Sequence, residues 1–450
     1  MNETNILLVN PWISDFAAYD LWVKPLGLLY IGAFIKKYGY NISLLDFLDR
    51  ERWSNKNNDE TGKGKYFKTQ INKPEAVKNI QRNFSLYGAH QSEITNHLMT
   101  IEKPTAILIT SHMAYWYVGV QKSIELIKNI FPDIPIILGG IYVTLYEQHA
   151  HKNIDADYFV SGYGEKKTLK ILDSLHKINR NYIEIPEFCD TNFLPYYFYK
   201  NIKTLPLLTS RGCPYNCSFC ASGILNQKFS RRPVDNLIAE IKDNFEKYNI
   251  TQYAFYDDAL FFNKKEYIIP FLHEIIKLPH QFKFFSPNGL FAREINRELA
   301  FLMKRVGFSV IRLSLESTKK RWQIASSNKV SKMDFKNAIG NLAEAGYLPQ
   351  EIEAYLIVGL PGQTFEDIRD SIDFVFNNSV ITRLAFYTPI PGTADWQHAI
   401  DINLIDENID PMLTNNTIYS WVTDSLTKDN VIELKNYANM LNNKLRSQEK

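Results

Sequence analysis

Three of the four cysteines in this chain lie in one short stretch, RGCPYNCSFC at positions 211–220. A disulfide framework would instead distribute an even number of cysteines through a small secreted domain. Deprotonated thiols are ligands for zinc and for iron-sulfur clusters. Cys213, Cys217 and Cys220 therefore indicate a metal site.

The spacing C-x3-C-x2-C narrows the kind of metal site. A structural zinc ion normally takes four protein ligands from two knuckles, and Cys189 is the one remaining cysteine that could complete such a set. Three thiolates also suit a 4Fe-4S cluster in which one iron stays open to another ligand. We favour the cluster and interpret Cys189 as a small buried apolar residue.

The composition of the whole chain excludes several classes of function. Its 450 residues have room for two or three domains, and the formal charge of +2 is too small for the broad basic surface of nucleic-acid binding proteins. The first residues, MNETNILLVNPW, lack the features of a signal peptide, and no apolar run is long enough to span a bilayer. We therefore expect a cytoplasmic protein with no nucleic-acid or membrane partner.

The metal site must be positioned by a regular fold, and the first part of the chain alternates between strands and helices. The predicted strands are NILLVNPW, NISLLDF, PTAILITSH, IPIILGG and ADYFVSGYGE. This alternation predicts an α/β domain over residues 1–180 with a doubly wound, flavodoxin-like parallel sheet. A stretch near residues 52–99, rich in Lys and Asn, interrupts the pattern, and we expect a loop or lid over the sheet edge there.

A second alternation follows a linker at residues 181–204. Six strands separated by helices predict a partial (β/α)6 barrel over residues 205–398, and a small helical segment is expected at 399–450. The three clustered cysteines follow the first of these six strands. Active sites in such barrels lie at the carboxyl ends of the strands, so the cysteine loop has the position of an active-site loop.

Together these features resemble the radical S-adenosylmethionine (radical SAM) superfamily from about Leu205 to Thr393. The resemblance implies a 4Fe-4S cluster whose open iron is chelated by the amino and carboxylate groups of S-adenosylmethionine. One-electron reduction then cleaves the sulfonium to a 5'-deoxyadenosyl radical. The electron would come from a donor such as flavodoxin or ferredoxin.

The resemblance also implies residues that contact S-adenosylmethionine. Phe219, before the third cysteine, is expected to pack against the adenine. The segment FYDD implies that Asp257 or Asp258 contacts the methionine amino group, but it lacks the usual Gly-Gly-Glu, and either aspartate could merely cap the following turn.

Two later segments carry the rest of the expected S-adenosylmethionine site. LSLES implies a ribose contact from Glu316, which could instead be a core-edge acid paired with Arg293 or Arg312. YLIVGLPGQT resembles the segment that borders adenine, and YTPIPGT resembles the sixth strand of the subclass with an N-terminal cobalamin-binding domain. The adenine-bordering residues are Val358, Gly359 and Pro361.

The first domain resembles that cobalamin-binding module, in which PLGLLYIGAFIKKYGY, LLDF, ILGGIYVT and SGYGE stand in the usual order. The Asp-x-His-x-x-Gly signature that donates an axial histidine is absent, as in many members of this subclass. The expected cobalamin contacts are Thr110, His112, Gly139, Gly140, Gly162, Gly164 and Glu165. The paired glycines could equally serve a tight turn, and His112 could be a hydrogen-bonded loop residue.

Three functions follow from these expectations. The first is a cobalamin-dependent radical enzyme that acts on an unactivated carbon of a small molecule, with methyl transfer favoured. The second is a radical SAM enzyme whose N-terminal domain is degenerate and binds no cobalamin. The third is a non-catalytic iron-sulfur or corrinoid sensor.

Overall fold

The computed structural model describes residues 4–53, 59–188, 193–419, 423 and 425–447. The chain forms two compact units, one of residues 1–202 with 409–418 and one of residues 203–408 with 419–450. The C-terminal stretch expected as one segment is thus divided between both units. Cys189 lies outside the described residues. Among the described helices, none has the length and apolar character needed to cross a membrane.

The first unit contains a five-stranded parallel sheet together with short accessory strands. Its elements are β1 (Asn5–Asn10), β2 (Ile13–Asp15), β3 (Tyr19–Asp20), α1 (Leu26–Lys37), β4 (Asn41–Asp46), β5 (Gly64–Lys65), β6 (Lys68–Gln70), β7 (Ser85–Tyr87), α2 (Gln91–Thr100), β8 (Ala106–Ser111), α3 (Tyr117–Ile130), β9 (Ile136–Gly140), α4 (Ile141–Leu145), α5 (Glu147–Asn153), β10 (Tyr158–Val160) and α6 (Glu165–Leu175). The sheet order is β4-β1-β8-β9-β10, with every neighbouring pair parallel. This is the flavodoxin-like order, and it confirms the predicted doubly wound sheet.

Both faces of this sheet are covered by helices, which is why its strands are apolar without alternation. Leu7 and Val9 of β1 share a core cluster with residues of α2 and α3. Leu8 points to the other face, where a Cβ on Gly32 of α1 would lie 2.6 Å from its Cδ1. β4, which follows β1 in this sheet along the chain, pairs with one edge of β1, and the later strand β8 pairs with the other edge. The strand order reverses at this point, so the crevice for a ligand lies between the carboxyl ends of β1 and β8.

The stretch that interrupts the first alternation is part of the first unit's core. Its described residues contribute β6 and β7 to a small antiparallel sheet of order β2-β7-β6, followed by α2. Phe84 and Ile94 are buried in the same cluster as β1, and the indole of Trp12 donates to the carbonyl of Ala89 at 2.7 Å. The described residues 59–99 therefore fold as a small sheet and a helix rather than as an irregular loop.

The second unit contains the cysteine loop and the predicted barrel strands. Its elements are β11 (Thr204–Leu207), β12 (Ser210–Arg211), α7 (Ser222–Leu225), β13 (Ser230–Arg231), α8 (Val234–Tyr248), β14 (Gln252–Phe255), α9 (Ile268–Ile276), β15 (Lys283–Phe285), β16 (Leu290–Phe291), α10 (Arg297–Val306), β17 (Ile311–Glu316), α11 (Lys320–Ala325), α12 (Lys332–Glu344), β18 (Ile352–Val358), α13 (Phe365–Asn377), β19 (Ile381–Phe386), α14 (Ala394–Asp401) and α15 (Lys428–Ser447).

The six predicted barrel strands are present, and their neighbours pair in parallel. The order β11-β14-β15 continues into β17-β18-β19, and a parallel bridge between Phe284 of β15 and Phe308 joins the two groups. The two-residue strand β16 adds a short parallel pairing to β17. This arrangement confirms the partial (β/α)6 barrel, whose strand ends converge on one face.

The helices of the barrel begin and end at residues suited to those positions. Ser331 and Thr364 cap α12 and α13 by accepting hydrogen bonds from backbone N–H groups of the first turn. Helix α10 ends at Gly307, whose φ is +92° and where a Cβ would lie 2.1 Å from the carbonyl oxygen of Phe282. Only glycine fits there, so the helix stops and the chain enters β17.

Candidate active site at the barrel strand ends

The three clustered cysteines line one cavity of about 170 Å³ at the carboxyl ends of the barrel strands. Cys217 is buried, Cys213 is half-buried and Cys220 is exposed. Side chains from the ends of several strands complete the wall. The lining residues are Cys213, Tyr215, Cys217, Cys220, Asp258, Asn288, Gly289, Phe291, Ser314 and Lys329.

The surrounding protein disfavours ionisation of two of these thiols, Cys213 and Cys220. Burial raises the pKa of Cys213 to about 11, and neighbouring atoms that desolvate the Cys220 thiol raise its pKa although the residue as a whole is exposed. Within the described parts of the chain, no three His, Cys, Asp or Glu side chains are arranged to hold a single metal ion. A 4Fe-4S cluster instead takes each thiolate on a different iron, and the iron itself ionises the thiols. Three separate thiols around one cavity fit such a cluster.

The two aspartates of FYDD have different surroundings. The Asp257 carboxylate is buried and accepts hydrogen bonds from the N–H and hydroxyl of Thr209, at 3.1 and 2.7 Å, and from the Ser210 hydroxyl at 2.6 Å. Burial raises the pKa of Asp257, against the effect of these bonds. Asp258 lines the cavity and accepts from the Ser222 hydroxyl at 2.6 Å. Asp257 thus stabilises the start of the cysteine loop through these hydrogen bonds, and Asp258 is the aspartate that lines the cavity.

Glu316 lies beside a lysine that the sequence analysis did not identify. The Lys329 ammonium is 3.9 Å from Oε1 of Glu316, and the two side chains are only 11% and 13% exposed. Burial raises the pKa of Glu316, and the Lys329 charge opposes that rise. Arg293 and Arg312, the partners considered for Glu316 from the sequence, bond to other side chains. Lys329 lines the cysteine cavity and connects Glu316 to it.

The backbone of Glu316 is strained. Its φ is +63°, at a register shift between β17 and β18. A left-handed conformation in a non-glycine residue costs of order 1–3 kcal/mol and is typical of functional sites. The register shift lies at the end of the same strand whose Ser314 lines the cavity.

The turn after β18 is held by one buried glutamine. Gly359 has a φ of +98°, and its N–H donates to Oε1 of Gln363 at 2.7 Å, as does that of Leu360 at 3.1 Å. Nε2 of Gln363 donates to the carbonyl of Ile357 at 3.0 Å. Gln363 therefore fixes the backbone that contains Val358 and Gly359, and Pro361 lies in the same turn.

Replacing Gln363 with alanine is expected to loosen this turn. Three hydrogen bonds to buried or half-buried backbone groups are lost, which we expect to lower the free energy of unfolding by about 1–3 kcal/mol. The dissociation constant for S-adenosylmethionine should rise in the cluster-loaded protein, as measured by equilibrium dialysis. An unchanged dissociation constant would show that this turn does not border the nucleoside.

Phe219 packs onto the residues around that turn. It lies against the buried cluster of Ile357, Leu360 and Tyr387. The expected adenine contacts Phe219, Val358 and Gly359, which are far apart in the sequence, are therefore brought to one region of the second unit.

The expected cobalamin contacts lie at the carboxyl ends of three neighbouring strands of the first unit. Thr110 pairs with Gly139, and a Cβ on Gly140, whose φ is +106°, would lie 2.2 Å from the carbonyl oxygen of Ser111. The close pairing of β8 and β9 alone thus requires a glycine at position 140. The remaining three, Gly162, Gly164 and Glu165, lie between β10 and the first turn of α6.

His112 belongs to a hydrogen-bond chain at the crevice between β1 and β8. Nδ2 of Asn10 donates to Oδ1 of Asp46 at 2.7 Å, which leaves Oδ1 of Asn10 to accept from Nε2 of His112 at 3.0 Å. The Tyr199 hydroxyl donates to the other Asp46 oxygen at 2.7 Å. Burial lowers the pKa of His112, so the ring is neutral with its proton on Nε2. His112 is a hydrogen-bonded loop residue, but its Nδ1 still has a lone pair.

Comparison with known proteins gives a family match within the second unit and structural matches that extend over most of the chain. The profile of the radical SAM superfamily matches residues 207–375, which contain the cysteine loop, Asp258, Glu316 and the Gly359 turn. The second unit therefore contains a radical SAM domain. Its relatives include an uncharacterised methyltransferase of Pyrococcus horikoshii, 25% identical over 62% of this chain and 66% of the relative. Cytidylyl-2-hydroxyethylphosphonate methyltransferase of Streptomyces wedmorensis is 22% identical over 89% of this chain and 82% of the relative.

Solved structures of radical SAM enzymes share the fold over most of this chain. TsrM from Kitasatospora setae, with cobalamin and a [4Fe-4S] cluster bound, has a TM-score of 0.64 at 15% identity and covers 89% of this chain and 78% of its own. The cobalamin-dependent radical enzyme OxsB, with aqua-cobalamin bound, has a TM-score of 0.59 at 13% identity and covers 96% of this chain and 56% of its own. The predicted two-part fold is confirmed, and the match to the predicted superfamily covers residues 207–375.

Proposed function

We propose that this radical SAM protein binds a 4Fe-4S cluster, S-adenosylmethionine and cobalamin, and methylates an unactivated carbon of a small molecule. The observation that carries the proposal is the meeting of three cysteine thiols, Asp258 and Lys329 in one cavity at the carboxyl ends of parallel strands. Thiolates hold the iron, and the two charged side chains complement the amino and carboxylate groups of a bound amino acid.

The second unit supplies the positions for the cluster and the nucleotide. When bound, the cluster and S-adenosylmethionine supply one-electron reduction and an alkyl radical. Cys213, Cys217 and Cys220 would hold the cluster, and Asp258 would accept a hydrogen bond from the methionine ammonium. Lys329 would face the methionine carboxylate, and Glu316 would lie toward the ribose. Phe219 with the Val358–Pro361 turn would enclose the adenine and exclude water from it.

The first unit supplies a crevice of the type that binds large planar cofactors. The flavodoxin-like order and the position of Thr110, Gly139, Gly140 and His112 at adjacent strand ends support a corrinoid site there. A neutral His112 with a fixed tautomer would present Nδ1 to the cofactor. Gly162, Gly164 and Glu165 remain candidate contacts at the neighbouring strand end.

Methyl transfer is favoured over other radical reactions because several relatives are named methyltransferases. A further relative, the anaerobic magnesium-protoporphyrin IX monomethyl ester cyclase of Cereibacter sphaeroides, is 21% identical over 66% of this chain and 54% of its own length, and its name indicates ring formation instead. A methyl group taken from the sulfonium leaves S-adenosylhomocysteine. Methyl transfer therefore predicts S-adenosylhomocysteine in addition to 5'-deoxyadenosine, whereas ring formation predicts 5'-deoxyadenosine alone.

The deciding experiment is anaerobic reconstitution with iron, sulfide and hydroxocobalamin, followed by desalting and addition of reductant and S-adenosylmethionine. We expect bound corrinoid and 5'-deoxyadenosine together, with an electron donor such as flavodoxin or ferredoxin able to replace the chemical reductant. 5'-Deoxyadenosine without corrinoid would support a degenerate first unit. An intact cluster without 5'-deoxyadenosine would contradict an enzyme and favour a sensor.

A further inference from the structure

One buried hydroxyl group beside the Gly359 turn has no hydrogen-bond partner among the described residues. Tyr387 follows the last barrel strand, and its side chain is only 8% exposed. Among the described residues, no donor or acceptor bonds to its hydroxyl oxygen. A buried polar group left without a hydrogen bond is destabilising and is rare in native proteins. A ligand that reaches this hydroxyl would complete its hydrogen bonding.

The neighbours of Tyr387 indicate which ligand that is. Its backbone N–H donates to the carbonyl of Val358 at 2.8 Å, so it is attached to the β18 end that we assign to the adenine. Its ring packs with Ile357 and Leu360, and Phe219 lies against the same cluster. The unpartnered hydroxyl therefore belongs to the set of residues proposed to enclose the nucleoside.

The chemistry of the hydroxyl suits a nucleoside. Burial raises the pKa of Tyr387, so the group stays protonated and can both donate and accept. An adenine ring and a ribose each offer donors and acceptors in a flat, largely apolar body. The surrounding residues Ile357, Leu360 and Phe219 are apolar. The indole N–H of Trp322, which packs on the same cluster, donates to Asp367. In the part of the chain that the structure describes, the Tyr387 hydroxyl is therefore the polar group of this cluster without a partner.

We infer that the Tyr387 hydroxyl forms a hydrogen bond with the adenosyl part of S-adenosylmethionine. The inference rests on the proposed function, since it requires that the second unit binds this nucleotide. Tyr387 is then a residue that selects the nucleoside, and its hydroxyl is kept at a cost to the stability of the unliganded protein.

The test is Tyr387→Phe, which removes the hydroxyl alone. In the cluster-loaded protein we expect the dissociation constant for S-adenosylmethionine to rise about threefold to tenfold, the value of one neutral hydrogen bond. In the absence of S-adenosylmethionine we expect the melting temperature to rise by about 1–3 °C, because an unsatisfied buried hydroxyl is gone. A purely structural tyrosine would not change binding and stability in opposite directions.

Tyr347→Phe is the matched control in the same unit. Tyr347 is also buried, but its hydroxyl donates to the carbonyl of Phe308 at 3.2 Å. Removing that hydroxyl should lower the melting temperature and leave the dissociation constant for S-adenosylmethionine unchanged.

A second probe locates the contact on the nucleotide. 5'-Methylthioadenosine keeps the adenosyl group but lacks the amino and carboxylate groups, so Tyr387→Phe should weaken it by the same factor as S-adenosylmethionine. Unchanged binding of S-adenosylmethionine, or a loss that spares 5'-methylthioadenosine, would overturn the inference. If the cluster-loaded wild-type protein bound neither compound, the proposed function itself would fail.

Discussion

Cys217→Ala is expected to reduce 5'-deoxyadenosine formation to the background of protein that holds no iron. Cys217 is the most buried of the three cavity cysteines, and alanine offers no ligand to the iron at that position. With two thiolates left, the cluster loses one of its protein ligands and should not survive desalting. Iron and sulfide content, the visible absorbance of the cluster and 5'-deoxyadenosine are measured on the same reconstituted sample.

Cys189→Ala is the matched control for this prediction. Cys189 was the one cysteine that could complete a zinc site in the sequence analysis, whereas a three-thiolate cluster does not need it. The variant should therefore keep full iron, sulfide and 5'-deoxyadenosine yields. Loss of metal in both variants, with zinc rather than iron in the wild type, would contradict the cluster and favour a four-cysteine zinc site.

Asp257→Asn is expected to lower stability and Asp258→Asn to weaken S-adenosylmethionine binding, although the two residues are adjacent. The Asp257 carboxylate accepts from Thr209 and Ser210 while fully buried. The asparagine amide would place its NH2 group against the donors of Thr209 and Ser210. We therefore expect Asp257→Asn to lower the free energy of unfolding by about 2–4 kcal/mol. The measurement is urea unfolding of the cluster-free protein, from which the free energy of unfolding of the second unit is obtained.

Asp258→Asn should leave stability nearly unchanged but weaken S-adenosylmethionine binding. The amide oxygen can still accept from the Ser222 hydroxyl, while the cavity loses a negative charge. Loss of one charge-assisted hydrogen bond is worth about 1.5–3 kcal/mol, or about a tenfold to hundredfold rise in the dissociation constant. The opposite pattern, with binding lost in Asp257→Asn at unchanged stability, would assign the amino-group contact to Asp257.

Several features of the site could not be read from the sequence. Lys329 lies in a stretch with no strand-end motif, and only the folded chain brings it to within 3.9 Å of Glu316. Gln363 lies within the motif YLIVGLPGQT, yet its three hydrogen bonds to the backbone depend on the path of the turn. The stretch near residues 52–99 has no recognisable period in the sequence because its strands have only two or three residues. Short strands of this kind carry too few alternating positions to be recognised.

The sequence by itself determined the resemblance to the radical SAM superfamily, the order of strands and helices, and the cysteines of the proposed cluster. It could do so because these features are local: a cluster loop supplies its thiols within one stretch, and the helical and strand periods repeat along the chain. Only the tertiary structure decided which of two adjacent aspartates faces the cavity, since successive residues of an extended chain point to opposite sides. The same holds for Lys329 beside Glu316 and for the unpartnered hydroxyl of Tyr387, because each is defined by groups that meet only once the barrel has formed.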